Sequence, residues 1–189
     1  MDHLEKICAW AQSNPLMKEY HDKEWGVPSH DDTYLFELLN LEGAQSGLSW
    51  LIILKKRDGY RKAFRDFDIN ACATLTDEEL EQIVTTGEVV RHPLKIKAVR
   101  ANAIAAQKVQ EEFGSLSNYV WHFTNSKRII NSWTSVDQLP AKSELSEQIS
   151  KDMKKRGFKF VGPVTIYSYL QAIGIIDDHI ITCPYYSGK

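Results

Sequence analysis

The chain has 189 residues, which is enough for one ordinary domain with a sizeable core. Its hydrophobic content of 43% and charged content of 25% are typical of a soluble globular protein. The net charge of −2 excludes a generally basic nucleic-acid-binding protein, so any contact with DNA must come from a local patch.

The sequence also gives expectations about cellular location. No apolar run approaches the roughly 20 residues that a membrane span requires, and the start MDHLEKICAW does not indicate a secretory signal. The three cysteines lack the spacing of a disulfide framework, which favours a reducing compartment. We therefore expect a cytoplasmic protein without a membrane partner.

The spacing of apolar residues predicts an almost entirely helical chain. A first helix is predicted to start at Asp31 or Asp32 and to carry the apolar stripe Leu35, Phe36, Leu38, Leu39 and Leu41. Ser49 is a candidate N-cap for a second helix from Trp50 towards Phe64. Later signals predict further helix boundaries at Asp68, Thr76–Glu79, Gly87, Pro93, Ser143, Gly157, Gly162–Pro163 and about Gly174. No linker is evident, so residues 1–189 are predicted to form a single domain.

Two cysteines and two histidines lie near opposite ends of the chain. Cys8 and His21 are near the start, and His179 and Cys183 are near the finish. Two thiolates and two imidazoles are a usual tetrahedral set for zinc, and a filled set predicts a structural rather than a catalytic ion. The alternative is two buried thiols and two unrelated histidines, because the short spacing of a zinc finger is absent.

Aromatic residues are interleaved with polar ones in the first 50 residues. Trp10, Tyr20, Trp25 and Trp50 could surround Glu42, which follows an apolar run at the end of the first predicted helix. Electron-rich ring faces with one carboxylate suit a flat, cationic ligand. The alternative is that these rings are ordinary core residues.

Two short segments carry local positive charge. The segment 85–98 contains a helix end, a tight turn at Gly87 and a new helix start, with Arg91, Lys95 and Lys97 nearby. A helix start offers unpaired backbone N–H groups to an anion. A second basic run, Lys154–Lys159, precedes Gly162–Pro163. Both segments favour a phosphate backbone as partner, although solvated surface lysines are the alternative.

Several motifs together resemble one family over nearly the full length. They are YHDKEWGVP, LEGAQSGLSW followed by ILKKR, VVRHPLKIKA, KKRGFKFVGPVT and DDHIITCP. In these segments the chain resembles the DNA-3-methyladenine glycosylase I family. One position departs from the family pattern, because Met17 stands where the family often has a tyrosine.

The resemblance implies a fold and a set of site residues. The fold is an all-α helix-hairpin-helix glycosylase with two lobes sharing a base pocket, a hairpin at about 85–98, and a zinc site joining the N- and C-terminal segments. One structural zinc ion is implied on Cys8, His21, His179 and Cys183. The implied base pocket consists of Trp10, Tyr20, Trp25, Glu42 and Trp50.

The resemblance also implies an activity. We expect a monomeric bacterial enzyme of base-excision repair that extrudes 3-methyladenine from alkylated double-stranded DNA and releases the free base. Glu42 is the candidate catalytic residue, Gln45 and Leu48 are candidates to fill the gap in the DNA, and Gly87, Arg91, Lys95 and Lys97 would contact the backbone. No lysine is placed to form a Schiff base, so strand cleavage is not expected. A non-catalytic zinc-containing DNA-binding module and a zinc hydrolase are the alternatives.

Overall fold

The structure, a computed structural model, describes residues 7–189. Within this range the chain forms nine α-helices: α1 Pro15–Lys23, α2 Asp32–Gln45, α3 Trp50–Ala63, α4 Ile69–Ala73, α5 Asp77–Thr86, α6 Pro93–Phe113, α7 Leu116–His122, α8 Glu144–Lys155 and α9 Pro163–Ala172. Short 3₁₀ turns occupy Ala9–Gln12, Arg65–Phe67 and Val136–Gln138. Two-residue strands β1 (Ile129–Ile130) and β2 (Ile176–Asp177) pair in parallel. The mostly helical prediction is confirmed, and the short parallel pairing was not predicted.

The helix starts coincide with side chains that accept hydrogen bonds from the first turn. Asp31 caps α2 by accepting from the Thr33 N–H at 3.0 Å, and Thr76 with Glu79 forms a capping box on α5. These caps satisfy backbone donors that have no partner inside the helix. The predicted starts at these positions are confirmed. Helices α1 and α7 were not predicted, because they are only nine and seven residues long and so give a weak periodic signal.

Helix α2 runs through the centre of the protein. Every residue from Leu35 to Ala44 is buried, and the helix contacts α3, α6, α7 and α9. Three polar side chains are buried with it. Glu37 accepts hydrogen bonds from Arg57 and Arg61, and Asn40 bonds to the Phe36 carbonyl. The third, Glu42, faces the site described below.

The N- and C-terminal segments fold against each other, as the sequence predicts. The Gly26 N–H donates to the Gln171 carbonyl at 2.8 Å, and the Ser29 N–H donates to the Ile173 carbonyl at 3.0 Å. Gly174 adopts a φ of +79°, and a Cβ at this position would lie 2.2 Å from the Val27 carbonyl carbon. A glycine is therefore required where the two segments cross. Among the described residues, no helix combines the length and apolar character needed to cross a bilayer.

Candidate active site

A cavity of about 260 Å³ opens beside the C-terminal half of α2. All five residues expected in a base pocket line this cavity: Trp10, Tyr20, Trp25, Glu42 and Trp50. The other lining residues are Met17, Gln45, Leu139, Ser168 and Gln171. A larger cavity of about 390 Å³ lies between α3 and α5, but no aromatic side chain lines it. The smaller cavity is therefore the candidate site, and its size suits one flat base.

The rings of the pocket contact one another at defined angles. Trp10 and Trp25 meet edge to face, with ring centroids 5.0 Å apart and an interplanar angle of 81°. Tyr20 and Trp50 form a second pair at 5.2 Å and 54°. Contacts of this kind hold each ring in one orientation, because aromatic pairs prefer tilted or edge-to-face arrangements. The pocket wall is therefore rigid and rich in π-electrons.

Glu42 is the only carboxylate in the described lining of this pocket. It is 5% exposed, and no hydrogen bond or ion pair to it is found within residues 7–189, in contrast to Glu37 on the same helix. Burial alone raises the pKa of Glu42 to about 8, because a charged carboxylate is poorly solvated there. The Glu42 side chain is therefore available to a ligand.

A second polar group in the pocket lacks a partner. The indole nitrogen of Trp50 is buried and makes no hydrogen bond within the described chain. A buried donor without a partner costs free energy, so such groups in native proteins are rare. Together, Glu42 and Trp50 present one acceptor and one donor to a bound molecule.

Sequence reasoning missed three lining residues. Ser168 and Gln171 lie three residues apart on α9, so they share one face of that helix. Gln171 donates from Nε2 to Asp178 at 2.8 Å, which fixes the orientation of its amide. The available signal was two polar residues at helical spacing in the otherwise apolar run PVTIYSYLQA. Leu139, in a loop after a 3₁₀ turn, carried no signal in the sequence.

Met17 occupies the position where the sequence departs from the family pattern. It lies one turn before Tyr20 on α1 and lines the same cavity. The thioether therefore forms part of the wall of the pocket. A methionine can still contact a ring through its polarisable sulfur.

Cys8, His21 and Cys183 converge behind the pocket. Their potential ligand atoms lie within 4.8 Å of one another, and all three residues are buried. The Cys183 sulfur is 3.7 Å from Nε2 of His21, close to the roughly 3.5 Å edge expected between sulfur and nitrogen in a tetrahedral zinc site. Hydrogen bonds from Cys8 and from His21 lower the pKa of Cys183. A thiolate is the form that binds metals.

His179, the fourth residue expected at this centre, lies beside the cluster but outside the group of three whose ligand atoms converge. Its ring centroid lies 4.8 Å from that of His21, and its buried Nε2 has no hydrogen-bond partner in the described chain. Nδ1 of His179 contacts Asp177, and Nδ1 of His21 contacts Asp22, each at 2.7 Å. Carboxylates on the second ring nitrogen are the usual support for metal-binding histidines. The donor set therefore fits a metal ion.

The segment that carries His179 and Cys183 is not helical. It follows β2 and bends in a turn, with the Cys183 N–H donating to the Ile180 carbonyl at 2.8 Å. Asp178, which directly precedes His179, accepts hydrogen bonds from four side chains: Asn131, Trp133, Tyr167 and Gln171. It therefore connects β1 and its following loop to α9.

The cluster of Cys8, His21 and Cys183, together with His179, contacts the rings of the pocket. His21 stacks on Trp25 with centroids 5.9 Å apart, and Trp25 meets His179 edge to face at 4.7 Å. Trp10 lies two residues after Cys8 and 5.2 Å from the His21 ring. The orientation of two pocket tryptophans therefore depends on the cluster.

The turn between α2 and α3 lies at the mouth of the pocket. The Leu48 N–H donates to the Gln45 carbonyl at 2.7 Å, and Nε2 of Gln45 donates to the Leu48 carbonyl at 2.6 Å. Leu48 is half-buried against the core. Both residues lie on the turn where the sequence placed them, and their contact with DNA stays a prediction.

The α5–α6 connection contains the predicted helix end, connecting segment and new helix start. Gly87 ends α5, and Pro93 is the first residue of α6. Arg91 is exposed and donates from Nε to the Gly87 carbonyl at 3.3 Å, and Lys97 is exposed. Lys95 differs from these two exposed residues, because its ammonium donates hydrogen bonds to two carbonyls at the C-terminal end of α2.

Comparisons with known proteins agree with this geometry. Residues 10–186 match the family model described as methyladenine glycosylase. The chain is 40% identical to DNA-3-methyladenine glycosylase 1 of Escherichia coli over 96% of its length and 97% of that protein, and 41% identical to DNA-3-methyladenine glycosylase of Haemophilus influenzae over 94% and 96%.

Solved structures show the same similarity. A structure on 3-methyladenine recognition by 3-methyladenine DNA glycosylase I from Staphylococcus aureus superposes with a TM-score of 0.94 at 35% identity, covering 98% of this chain and 99% of that one. A crystal structure of 3-methyladenine DNA glycosylase I gives 0.92 at 40% identity, covering 95% and 99%. The chain therefore belongs to the methyladenine glycosylase family of DNA glycosylases.

Proposed function

We propose that this protein is a base-excision repair enzyme that extrudes 3-methyladenine from alkylated double-stranded DNA and hydrolyses its N-glycosidic bond. The observation that carries the proposal is the buried, unpaired Glu42 among the aromatic rings of the pocket. The relatives named above, and the S. aureus glycosylase whose structure concerns recognition of 3-methyladenine, support this substrate.

The pocket chemistry favours a cationic purine. A 3-methyladenine nucleotide carries a positive charge, and the ring faces of Trp and Tyr attract cations by roughly 0.5–2 kcal/mol for each contact. With a pKa of about 8, Glu42 is largely protonated in the empty pocket at neutral pH. A bound cation favours the carboxylate form, so Glu42 loses its proton as the charged base enters. Ordinary adenine supplies no such charge.

The reaction requires little help to the leaving group. The C1′–N9 bond breaks with its electrons passing to the cationic purine, which leaves as a neutral base, and positive charge develops on the sugar. Water then adds to C1′ and loses a proton. In our proposal Glu42 accepts a hydrogen bond from the amino edge of the base and, as a carboxylate, stabilises the positive charge in the transition state.

The DNA must open before the base can reach the pocket. Extrusion costs a few kcal/mol of unstacking and is least costly for damaged bases. In our proposal Gln45, which lines the pocket, and Leu48, which is hydrogen-bonded to it, fill the gap. The start of α6 and exposed Arg91 and Lys97 would contact phosphates, as would Gly87 through its backbone. Among the described residues no lysine lines the pocket, which supports a monofunctional enzyme without strand cleavage.

We further propose that Cys8, His21, His179 and Cys183 hold one zinc ion. Zinc with four protein ligands is a structural ion that stabilises the fold and has no open position for water. The support is the unpartnered Nε2 of His179 and the carboxylates on both histidines. This role makes a zinc hydrolase unnecessary to explain the cluster.

The proposal is tested by incubating the protein with DNA treated with a methylating agent and separating the released bases by chromatography. We expect 3-methyladenine to be released without strand breaks. Glu42→Gln should lower the rate and leave binding to undamaged DNA unchanged. If the wild type released no methylated base, the protein would instead be a DNA-binding module without catalysis.

A further inference from the structure

Lys95 lies at the start of α6, where a positive charge could bind a DNA phosphate. Its ammonium instead points to the α2–α3 turn. Nζ donates hydrogen bonds to the carbonyls of Ala44 at 3.0 Å and Ser46 at 2.6 Å. These carbonyls end α2, where the last carbonyls lack partners within the helix and where the helix dipole attracts a cation. Both hydrogen bonds connect the DNA-facing end of α6 to the mouth of the pocket.

A second polar contact joins the same two helices. Asn102 lies two turns after Lys95 on α6, and its Nδ2 donates to Oδ1 of Asn40 at 2.9 Å. Asn40 is one turn before Ala44 on α2, and both asparagines are buried. Lys95 precedes Asn102 on α6, whereas their partners occur in the reverse order on α2, where Asn40 precedes Ala44. The two helices are therefore antiparallel here, and the two contacts fix their register over about two turns.

The turn that Lys95 contacts is itself closed. Gln45 bonds to Leu48 through both its backbone carbonyl and its side-chain amide, at 2.7 and 2.6 Å. The two middle residues of this turn, Ser46 and Gly47, are exposed. Hydrogen bonds within the turn stabilise it, and Lys95 connects it to α6. A movement of α6 would therefore also move the turn.

We propose that Lys95 is a positioning residue of the excision reaction and not a phosphate ligand. It holds the Gln45–Leu48 turn at one fixed distance from the start of α6, so that DNA bound at α6 meets the turn where the damaged base must leave the stack. The inference rests on the proposed function. Burial beside the turn lowers the pKa of Lys95, which agrees with an ammonium that has lost part of its water.

The test compares three Lys→Met variants on α6. Lys95→Met removes the contacts with the turn, Lys97→Met removes an exposed charge near the DNA-facing end, and Lys108→Met removes an exposed charge far along the helix. For each protein we would measure the salt dependence of binding to undamaged duplex, single-turnover release of 3-methyladenine from methylated DNA, and affinity for free 3-methyladenine.

We expect a different response from each variant. A lysine that contacts a phosphate contributes about one to the slope of log K against log[salt]. Lys97→Met should reduce the slope by about one, whereas Lys95→Met should keep the wild-type slope and affinity for the free base. Single-turnover release should fall about 10- to 100-fold in Lys95→Met, the range that small misplacements cause. Lys108→Met should match the wild type throughout.

Three outcomes would overturn the positioning role. They are a salt slope reduced by about one in Lys95→Met, a wild-type rate of release, and a loss of release accompanied by a loss of free-base affinity. Should Lys95→Met not fold, Lys95→Arg decides, because an arginine keeps the charge that a phosphate requires but its planar guanidinium changes the geometry of the contacts with the two carbonyls. A wild-type salt slope with slower release would then support the positioning role, and a wild-type rate of release would contradict it. A wild-type protein that released no base would refute the proposed function, whereas an active wild type with an equally active Lys95→Met variant would refute the positioning role alone.

Discussion

Asp177 lies 2.7 Å from Nδ1 of His179, and the other ring nitrogen of His179 is buried and has no hydrogen-bond partner among residues 7–189. Such a nitrogen destabilises the fold unless something fills the space next to it. The carboxylate orients the ring, whose centroid lies 4.8 Å from that of His21, a member of the cluster with Cys8 and Cys183. A metal ion at this position would satisfy the nitrogen and explain why both histidines contact carboxylates.

The first prediction concerns this ion. Cys183→Ala should remove zinc and stability together, because metal binding and folding are coupled. We expect about one zinc per wild-type chain by elemental analysis, none in the variant, and a clear decrease in Tm. Cys72→Ala is the matched control, since Cys72 is also buried and free but lies away from the cluster. It should lose some stability and keep its zinc, and equal zinc contents in the two variants would contradict the assignment.

The second prediction concerns the stability cost of Glu42. In the unfolded chain this carboxyl ionises near 4.5, whereas in the folded protein burial raises its pKa to about 8. Between these values the unfolded state releases a proton that the folded state keeps, so this group lowers stability progressively from pH 4.5 to 8. This destabilisation is absent below pH 4.5, and above pH 8 it lowers the free energy of unfolding by at most roughly 4–5 kcal/mol.

Glu42→Gln removes this titration while keeping the shape of the side chain. The variant should unfold at a higher Tm than the wild type, with a difference that is small at pH 5 and grows towards pH 8. Thermal unfolding across this range, with both proteins in the same buffers, provides the measurement. A difference that does not change with pH would show that Glu42 is ionised normally in the folded protein.

Much of this fold follows from local signals in the sequence. Asp31, Ser49 and Thr76 cap the helices that they were predicted to start, because an N-cap needs only a side-chain oxygen and the next few backbone N–H groups. The pairing of β1 with β2 could not be predicted in this way. Its strands are two residues long and lie 47 positions apart, at Ile129 and Ile176.

The pocket shows the same division between local and distant information. Tyr20, Trp25 and Glu42 belong to motifs that could be identified from the sequence, and each lines the cavity. Gln171 could not be placed there, because its position depends on the packing of α9 against α2. The contact of Lys95 with Ser46 was also unforeseen, since 49 residues separate them and a lysine near a helix start suggests a phosphate.

The third prediction concerns Met17, which stands where the family often has a tyrosine. Met17→Tyr should restore an aromatic face to the wall and raise affinity for free 3-methyladenine by about 0.5–1 kcal/mol, or roughly two- to fivefold. Leu16→Tyr is the matched control, because Leu16 is 40% exposed and does not line the cavity. Titration calorimetry should show tighter binding for the first variant alone. Weaker binding would mean that the thioether fills space that a ring cannot enter.

The fourth prediction separates the two contributions of Trp50, its ring face and its buried N–H group. Trp50→Phe keeps a ring and removes the donor, so affinity for both 3-methyladenine and adenine should fall by about 1 kcal/mol, the usual worth of a hydrogen bond. Trp50→Ala also removes the ring, so the preference for 3-methyladenine over adenine should itself decrease, by roughly 0.5–2 kcal/mol.

Ile52→Ala provides the comparison for both variants. Ile52 is on the same first turn of α3 and is 38% exposed, but it does not line the cavity. Its affinities for both bases should equal those of the wild type. The decisive quantity is the ratio of the dissociation constants for adenine and 3-methyladenine. General damage to the pocket weakens the binding of both bases equally and leaves this ratio unchanged. A ratio in Trp50→Ala equal to that of the wild type would therefore show that discrimination resides elsewhere, with Glu42 as the next group to vary.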